Sequence, residues 1–371
     1  MKILELKLLK TIDNSYPIYL GSGIFREVLE KNLEKALPTA AAFISDSRVA
    51  SIYLNEMKSI ITGCPSCFLS FVPGENRKNI GTVMRLFKQL VKNKLDRKSI
   101  IIAAGGGVTG DISGFLASVY LRGIPFIQVP TSLLAMVDSS IGGKTGVDSK
   151  EGKNLIGSFY QPEAVIIDMK FLSTLPRREF LNGMAEIIKH SLIRDFSYFE
   201  LLRENKDKIL LLNQEILTEV VERSCRIKAS VVEEDEREGS LRQILNFGHT
   251  AGHAIEIAGN FRIPHGYALA IGMMVESYIS FKRGLLSSEE LNMVLNLIKY
   301  YELDGYIFLI KGISAERISR SALTDKKNIN REIKTVLLKK IGEVYEEKGK
   351  FSFPIGRDEI ESGLDYISRT V

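Results

Sequence analysis

The sequence predicts an α/β fold with a parallel sheet in its first half and an all-α fold in its second half. In the first half, short runs of β-branched residues alternate with helical periods, and such alternation predicts a parallel sheet covered by helices on both faces. A glycine-rich turn then joins a strand to a helix in SIIIAAGGGVTGDISGF. Beyond about Leu175 the apolar residues recur at three- and four-residue spacing, which is typical of amphipathic helices.

The elements of the first half follow one another in a regular order. Strands are predicted at LELKLL, YPIYL, AAFISD, CFLSFV, SIIIAA, PFIQVP and AVIIDM. Helices are predicted at GIFREVLEKNLEKAL and NIGTVMRLFKQLVKN, and directly after the glycine-rich turn.

The second half is predicted to be helical. REFLNGMAEIIKHSLI, KILLLNQEILTEVVERSCRIKASVVEE and SEELNMVLNLIKYYEL all carry the helical spacing of apolar residues. The change of pattern near TLPRR predicts two domains, residues 1–175 and residues 176–371. A late segment, IKTVLLKKIGEVYEE, is predicted to return to the core as a hairpin or strand.

Composition excludes several classes of function. The net charge of +5 is small for 371 residues, and basic residues are interspersed with acids, which argues against a nucleic-acid surface. No window reaches the ~18 uninterrupted apolar residues of a membrane span, and MKILELKLLK does not resemble a signal peptide. Cys64, Cys67 and Cys225 are too few for a disulfide framework, and CPSC has no second CxxC. We therefore expect a cytoplasmic protein that binds neither membrane nor nucleic acid.

The glycine-rich turn predicts a site for a dinucleotide. Gly105, Gly107 and Gly110 have G-x-G-x-x-G spacing between a strand and a helix, where backbone N–H groups can approach a diphosphate closely. Gln128, not an acid, lies near the end of the following strand, whereas Asp46 ends an earlier strand and can accept hydrogen bonds from a ribose. The alternative is a plain turn in which Asp46 caps a helix.

The histidines predict a metal site. His249 and His253 are four residues apart in NFGHTAGHAIE, as in HExxH, but Thr250 replaces the glutamate, so a zinc protease is excluded. His249, His265 and a carboxylate from another helix could hold a divalent ion and leave positions open for substrate. Glu186 in GMAEIIKH is such a carboxylate, with Lys189 and His190 on the same helical face. The spacing also permits His190 or His253 as a ligand, and it permits a simple surface pair.

Basic side chains among glycines predict an anionic substrate. Lys144, Lys153 and Asn154 lie in VDSSIGGKTGVDSKEGKNLIG, and Glu238 and Arg242 lie in DEREGSLRQILN after Lys228. Lysine and arginine in such runs suit a carboxylate or phosphate group.

Together these segments resemble the 3-dehydroquinate synthase family of the sugar-phosphate cyclase superfamily. The resemblance runs from about Asp46 to Lys327 in family order, and its motifs are GGGVTGDISGF, YLRGIPFIQVPTSLLAMVDSSIGGKTGV, GKNLIGSFYQP, GMAEIIKH, DEREGSLRQILNFGHTAGHAIE, PHGYALAIGM and LTDKKN. It departs from the family pattern at Ser132, which keeps a hydroxyl, and at Met136, which replaces an amide.

The resemblance implies a Rossmann-like N-terminal domain, an all-α C-terminal domain, NAD, and one divalent metal, Zn²⁺ with Co²⁺ as the alternative. The implied metal ligands are Glu186, His249 and His265. The implied NAD contacts are Asp46, Glu75, Lys78, Gly106, Gly107, Val108, Asp111, Thr131, Ser132, Leu134, Lys144, Lys153, Phe171, Thr174 and Glu179. The implied catalytic residues are Asp138, Lys144, Lys189, Glu238, Asn246 and His253, and the implied substrate contacts are Arg122, Asn154, Lys228, Arg242 and Lys326.

The implied reaction converts 3-deoxy-arabino-heptulosonate 7-phosphate to 3-dehydroquinate and phosphate, the second step of the shikimate pathway. It combines transient NAD-dependent oxidation, phosphate elimination, reduction and intramolecular aldol closure, and the family implies a homodimer. Three alternatives remain open: another cyclase of the same fold, a metal-dependent polyol dehydrogenase, and a non-catalytic nucleotide-binding subunit.

Overall fold

The first half of the chain alternates strands with helices in the computed structural model, which describes residues 13–61, 63–323 and 332–371. Its strands are β1 (Ile18–Gly21), β2 (Ala41–Asp46), β3 (Ser66–Phe71), β4 (Ile100–Gly105), β5 (Phe126–Pro130), β6 (Lys144–Ser149), β7 (Gly152–Phe159) and β8 (Ala164–Asp168). Its helices are α1 (Phe25–Ala36), α2 (Ser47–Ile60), α3 (Ile80–Lys92) and α4 (Gly107–Val119). The strand predicted at LELKLL lies outside the described residues.

Six of these strands form one sheet in the order β1-β8-β5-β4-β2-β3, and every pair in it is parallel. The predicted parallel sheet is therefore confirmed. The other two strands, β6 and β7, form an antiparallel hairpin beside it. Sequence reasoning did not identify this hairpin, because its glycines and lysines gave no alternation of apolar and polar residues.

Side chains of β4 alternate between two apolar cores. Ile101 belongs to a smaller core with Leu86 on one face of the sheet. Ile100 and Ile102 point to the other face, where they join a larger core that includes Leu192 and residues from later helices. Since both faces are covered, β4 is apolar and buried throughout, as expected for a central strand of a parallel sheet. The larger core also fixes the helical half against the sheet.

In the residues that the structure describes, the second half is mainly helical, as predicted, with four short strands. Its helices are α5 (Arg177–Arg194), α6 (Phe196–Glu204), α7 (Lys206–Leu210), α8 (Gln214–Glu234), α9 (His249–Ala258), α10 (His265–Lys282), α11 (Ser288–Tyr300), α12 (Ile307–Lys311), α13 (Ala315–Ala322) and α14 (Arg357–Thr370). The short strands are β9 (Lys334–Thr335), β10 (Leu338–Lys340), β11 (Glu343–Val344) and β12 (Phe353–Pro354). The late hairpin is β10 with β11.

The long helical run KILLLNQEILTEVV is divided between α7 and α8. Leu212 has φ 56°, a left-handed conformation that ends a helix. The side chain of Asn213 then accepts a 3.3 Å hydrogen bond from the N–H of Ile216 and caps α8. Among the described residues, no helix combines the length and the apolar character needed to cross a membrane.

Two close helix contacts place the beginning of α9 and of α10. A Cβ atom at Gly272 would overlap the carbonyl oxygen of Gly248 and lie 2.6 Å from the N–H nitrogen of Gly252, so α9 and α10 touch backbone to backbone. A Cβ atom at Gly266 would likewise overlap the backbone of Asn182 on α5. Three helices are therefore in tight contact where α9 and α10 begin.

Candidate active site

Three potential metal ligands converge at this contact of helices. Glu186 lies within α5, and His249 and His265 are the first residues of α9 and α10. Glu186 Oε1 is 3.6 Å from His249 Nε2 and 3.4 Å from His265 Nε2, and the three ligand atoms lie within 4.8 Å of one another. Two imidazoles with one carboxylate form a ligand set that catalytic zinc sites use, with a position open for substrate.

The charges around this group favour a cation. The Glu186 side chain is fully buried and paired with Lys189. Burial alone would raise the pKa of Glu186, but Lys189 and His265 outweigh it and lower that pKa, so the carboxylate is ionised. Burial would lower the pKa of His265, yet Glu186 and Glu256 on either side of its ring raise it to about 10. An imidazole held between two carboxylates occupies a place where positive charge is stabilised.

The local sequence explains why α9 and α10 start at histidines. Gly248 has φ 79°, which a glycine adopts without strain. The buried carboxylate of Glu276 accepts hydrogen bonds from the N–H groups of Gly248 (2.6 Å) and Ala251 (3.0 Å). On α10, the N–H of Gly266 donates a 2.6 Å hydrogen bond to the side chain of Asn182. Both histidines thus stand on helix termini that buried acceptors hold in place.

Two other histidines lie close to the three ligands. The His253 ring centroid is 5.2 Å from that of His249 and 6.2 Å from that of His265. His190 is fully buried, its Nδ1 is 2.6 Å from Ser224 Oγ, and burial lowers its pKa to about 3. Two further groups have metal-ligating geometry: His253 with Glu256 and His265, and His190 with Asp138 and Glu186. His253 and His190 therefore each belong to an alternative ligand set.

Several of the predicted substrate and catalytic residues contact one another near these ligands. Lys228 on α8 contacts the carboxylate and the backbone oxygen of Asp138. Glu238 contacts Lys144 and accepts a 2.8 Å hydrogen bond from Asn246 Nδ2. These residues come from five separate segments, and the fold brings them together.

Arg242, also predicted to bind substrate, is buried. Its guanidinium group donates to the carbonyl oxygens of Glu236 and Gly142.

Asp138 has an unusual electrostatic environment. Burial alone would raise the pKa of its carboxyl group, but the ammonium groups of Lys228 and Lys189 hold this pKa well below its ordinary range. Burial lowers the pKa of Lys228, and the neighbouring Asp138 carboxylate offsets this shift only in part. The Asp138 carboxylate is therefore ionised, with Lys228 in contact with it and Lys189 close enough to stabilise its charge.

A cavity of about 500 Å³ opens beside these residues. Glu238, Asn246 and His249 line it, as predicted site residues. Sequence reasoning assigned no binding role to several of its other lining residues: Gln243 and Thr250, which lie within the quoted motifs, and Lys334, Lys350 and Ser352, which lie outside them.

The carboxyl edge of the sheet carries the predicted nucleotide residues. β4 ends at Gly105 and α4 begins at Gly107, with Gly106 between them and no side chain of the described residues capping this terminus. Lys78 Nζ is 2.5 Å from Asp111 Oδ2 and 2.6 Å from the side-chain oxygen of Asn154. The first N–H groups of α4 therefore donate to no capping side chain of the described residues. They lie at the edge of the sheet where parallel sheets bind ligands.

Asp46 and Lys153, two other predicted nucleotide residues, make contacts with different parts of the molecule. Asp46 ends β2 and caps α2, since its Oδ1 accepts from the N–H groups of Arg48 (2.9 Å) and Val49 (3.1 Å). Lys153 Nζ is 3.5 Å from Glu256 Oε2 and 4.6 Å from the ring centroid of Phe261.

The remaining predicted nucleotide residues belong to segments that follow β3, β5 and β8. Glu75 lies after β3, in the short 3-10 helix Glu75–Arg77, and Thr131, Ser132 and Leu134 follow β5. Phe171 and Thr174 belong to the 3-10 helix Met169–Thr174 after β8. Glu179 lies in the first turn of α5. A Cβ atom at Gly183 of α5 would lie 2.5 Å from the backbone nitrogen of Leu134, so α5 packs directly on the segment after β5. Thr174 Oγ1 is 2.7 Å from the hydroxyl of Tyr53 on α2.

Among the described residues, one predicted substrate contact is not brought to the cluster. Arg122 is exposed at the end of the 3-10 helix Tyr120–Arg122, with φ 70°, and no hydrogen bond or ion pair joins it to the site residues that the structure describes. Lys326 lies outside the described residues. Met136, the departure from the family pattern, is buried in the larger apolar core.

Comparison with known proteins agrees with this arrangement. The family model described as 3-dehydroquinate synthase N-terminal matches residues 68–182, and the model described as 3-dehydroquinate synthase C-terminal matches residues 183–328. The chain belongs to the 3-dehydroquinate synthase family. Among its relatives, the 3-dehydroquinate synthase of Pelobacter propionicus is 42% identical over 89% of this chain and 92% of its own. That of Thermodesulfovibrio yellowstonii is 40% identical over 95% of this chain and 97% of its own.

Solved structures of cyclases related to the 3-dehydroquinate synthase family share the fold. The 2-epi-5-epi-valiolone synthase of Streptomyces hygroscopicus, solved with NAD⁺ and Zn²⁺ bound, superposes with a TM-score of 0.87, 26% identity, and coverage of 99% of this chain and 100% of its own. A 2-deoxy-scyllo-inosose synthase complexed with carbaglucose-6-phosphate, NAD⁺ and Co²⁺ gives a TM-score of 0.83, 27% identity, and coverage of 94% and 95%. The predicted fold class is confirmed.

Proposed function

We propose that this protein is a 3-dehydroquinate synthase, a carbon–oxygen lyase that converts 3-deoxy-arabino-heptulosonate 7-phosphate to 3-dehydroquinate and phosphate in the shikimate pathway. One observation carries the proposal: Glu186, His249 and His265 converge beside a cluster of lysines, next to the sheet edge where an uncapped helix begins. Relatives at 40–42% identity over most of the chain carry this name.

The metal fits the residues present. Glu186, His249 and His265 would hold one divalent ion, and their nitrogen and carboxylate donors suit Zn²⁺, with Co²⁺ as the alternative. The structures of the two related cyclases hold Zn²⁺ and Co²⁺ respectively. Glu186 is ionised and its pairing with Lys189 keeps it fixed in position, so the ligand is ready before the metal arrives.

NAD fits the sheet edge. The N–H groups of Gly106, Gly107 and Val108 would receive the diphosphate, where the helix dipole of α4 also favours an anion. Asp46 would accept from the ribose through the oxygen that does not cap α2. The further proposed contacts to NAD are Glu75, Lys78, Asp111, Thr131, Ser132, Leu134, Lys144, Lys153, Phe171, Thr174 and Glu179.

The substrate would lie between the hairpin of β6 with β7 and the helical half. Lys228, Arg242 and Asn154 would bind its phosphate and carboxylate, assisted by Arg122 and Lys326, and cationic donors form the strongest hydrogen bonds to such groups. Asp138, Lys144, Lys189, Glu238, Asn246 and His253 would orient its hydroxyl groups and hold protons at them.

When bound, NAD supplies a reversible hydride acceptor, and the metal supplies a Lewis acid for the hydroxyl that is oxidised. The side chains of this chain position the reacting groups and exclude water. Because a leaving phosphate can itself take a proton, the site needs no separate protein base for the elimination.

We further propose domains of residues 1–175 and 176–371, a homodimeric assembly and a cytoplasmic location. Support for the boundary comes from the change of architecture between β8, the last strand of the sheet, and α5. The other two proposals rest on family membership.

Three alternative functions compete with this one. Another sugar-phosphate cyclase would use the same NAD and metal sites, and the higher identity to 3-dehydroquinate synthases than to the two solved cyclases weighs against it. A polyol dehydrogenase would not need the lysines and arginine around Asp138. A non-catalytic nucleotide-binding subunit would not need the complete metal group.

The test is an assay with purified protein, the heptulosonate phosphate and NAD well below the substrate concentration. We expect phosphate and 3-dehydroquinate in equal amounts, each exceeding the NAD added many times over, with no steady accumulation of NADH. A Glu186→Ala variant serves as the matched inactive control. NADH that accumulates in step with product would contradict the proposal and favour a polyol dehydrogenase, whereas a different carbocycle would favour another cyclase.

A further inference from the structure

Glu256 has no role in the site described so far, although it lies against one of the proposed metal ligands. It belongs to the last part of α9, one helical turn beyond His253, and is almost fully buried. Glu256 Oε1 is 3.4 Å from His265 Nδ1. On the opposite side of the same ring, His265 Nε2 is 3.4 Å from Glu186 Oε1. The His265 ring is therefore held between two carboxylates, one at each nitrogen.

The second oxygen of Glu256 is also engaged. Glu256 Oε2 is 3.5 Å from Lys153 Nζ, in the hairpin of β6 with β7. A carboxylate that faces a lysine with one oxygen and an imidazole with the other is an ionised acceptor. It therefore accepts the Nδ1–H of His265. When His265 binds a metal as a neutral imidazole, this hydrogen bond keeps the remaining proton on Nδ1 and makes Nε2, the nitrogen that faces Glu186, the ligand atom.

We propose that Glu256 is a positioning residue that orients His265 for the metal by accepting a hydrogen bond from Nδ1. The proposal rests on the metal site of the proposed function. A carboxylate behind a metal-bound histidine fixes the tautomer and the ring orientation and makes the ligand more basic, and removal of such a partner typically weakens metal binding about 10- to 100-fold. Because α9 also carries His249, Glu256 links the two histidine-bearing helices as well.

The geometry also permits a rival role. His253, Glu256 and His265 form a second group with metal-ligating spacing, so Glu256 could bind an ion directly. The glutamine variant separates the two roles. A glutamine carbonyl can still accept from Nδ1, and so preserves the orientation of His265, but it is a poor replacement for a charged carboxylate ligand.

The experiment measures metal affinity without any activity assay. The wild type, Glu256→Ala and Glu256→Gln are stripped of metal and titrated with Co²⁺ in competition with a chelator, and the visible spectrum of the bound Co²⁺ is recorded. The melting temperature of each metal-free protein shows whether the fold is intact. Glu359→Ala is the control. It also removes a carboxylate from an ion pair, the 2.7 Å pair of Glu359 with Arg283, but Glu359 is remote in sequence from the proposed ligands.

We expect Glu256→Ala to bind Co²⁺ about 10- to 100-fold more weakly, Glu256→Gln to recover most of that loss, and the control to match the wild type. The spectrum of the glutamine variant should match that of the wild type, because the ligands are unchanged. Unaltered affinity in Glu256→Ala would overturn the proposal. The proposal would also be overturned if Glu256→Gln bound Co²⁺ as weakly as Glu256→Ala does and its Co²⁺ spectrum differed from that of the wild type. That result would make Glu256 a metal ligand. A wild type that bound no Co²⁺ or Zn²⁺ would instead overturn the metal site itself.

Discussion

The Glu276 carboxylate accepts a 2.6 Å hydrogen bond from the backbone N–H of Gly248, the residue immediately before His249. Glu276 belongs to α10, the helix that begins with His265. One fully buried side chain on the helix of the second histidine thus caps the helix of the first. The relative position of two proposed metal ligands depends on this contact, because the N–H groups at the start of α9 have no partner within their own helix.

The burial of Glu276 predicts a specific dependence of stability on pH. Burial raises the pKa of this carboxyl group to about 7, although hydrogen bonds from the backbone partly oppose the shift. Between the unfolded pKa, near 4.5, and about 7, the folded state therefore holds a proton that the unfolded state has released. The free energy of unfolding should consequently fall as pH rises through this window, by on the order of 3 kcal/mol in total.

Glu276→Gln cannot titrate, so its unfolding free energy should lack this fall. The measurement is urea unfolding of metal-free wild type and variant at several values of pH from 5 to 8. Glu302→Gln, which changes an exposed carboxylate, is the control and should follow the wild type. Parallel curves for the wild type and Glu276→Gln would contradict the prediction.

The backbone contact between α9 and α10 should tolerate no side chain. A Cβ atom at Gly272 would overlap the Gly248 carbonyl oxygen, and backbone cannot move aside as a flexible side chain can. Gly272→Ala should cost ~1–3 kcal/mol of stability or more and weaken metal binding, since it displaces His249 from His265. Gly305→Ala is the control, because the nearest atom to its Cβ, the Glu302 carbonyl oxygen, is at an ordinary 3.5 Å. Calorimetric melting checks stability, and a Gly272→Ala protein as stable as the control would refute the argument.

Much of this fold could be predicted from local sequence signals. The strands and helices of the first half follow the alternation of β-branched runs with helical periods, and the glycine turn lies where β4 meets α4. The hairpin of β6 with β7 could not be predicted, because Lys144, Lys153 and Asn154 are placed by tertiary contacts with Glu238, Glu256 and Lys78. An apolar pattern carries no information on such contacts.

Site residues could be predicted where they stand in a sequence motif. They could not be predicted where their role depends on a contact with another helix. His249, His253 and Glu186 stand in segments whose spacing indicates one helical face. Glu256 stands in the same quoted segment, yet nothing in its spacing shows that it faces a histidine from the next helix. Glu276 is one acid in an apolar run, and only the packing of α9 on α10 shows that it is a helix cap.

Asp46 offers a prediction that separates two roles of one carboxylate. Its Oδ1 caps α2, and we propose that the ribose of NAD binds to the same side chain. Asp46→Ser should keep the cap, because serine caps helices as well as aspartate does. It should bind NAD about tenfold more weakly or worse, since a charged hydrogen bond contributes ~1.5–3 kcal/mol.

Calorimetric titration with NAD and thermal melting of the same Asp46→Ser sample check the two roles independently. Asp46→Ala serves as the comparison that loses both the cap and the acceptor. NAD affinity equal to that of the wild type in Asp46→Ser would leave Asp46 as a helix cap alone.

The four histidines give the sharpest prediction, because the structure places all of them within or beside one metal group. His249→Ala and His265→Ala should each lose the metal, since a site with three protein ligands cannot readily spare one. His253→Ala should keep the metal but lose activity, because its imidazole is assigned to the substrate. His190→Ala should also keep the metal: its Nδ1 faces Ser224, and Glu186 supplies the ligand from that helix. Metal analysis of the four purified and folded variants tests this ligand set. If His190→Ala or His253→Ala proved metal-free, the ligands would instead be those of one of the two other groups, His190 with Asp138 and Glu186 or His253 with Glu256 and His265.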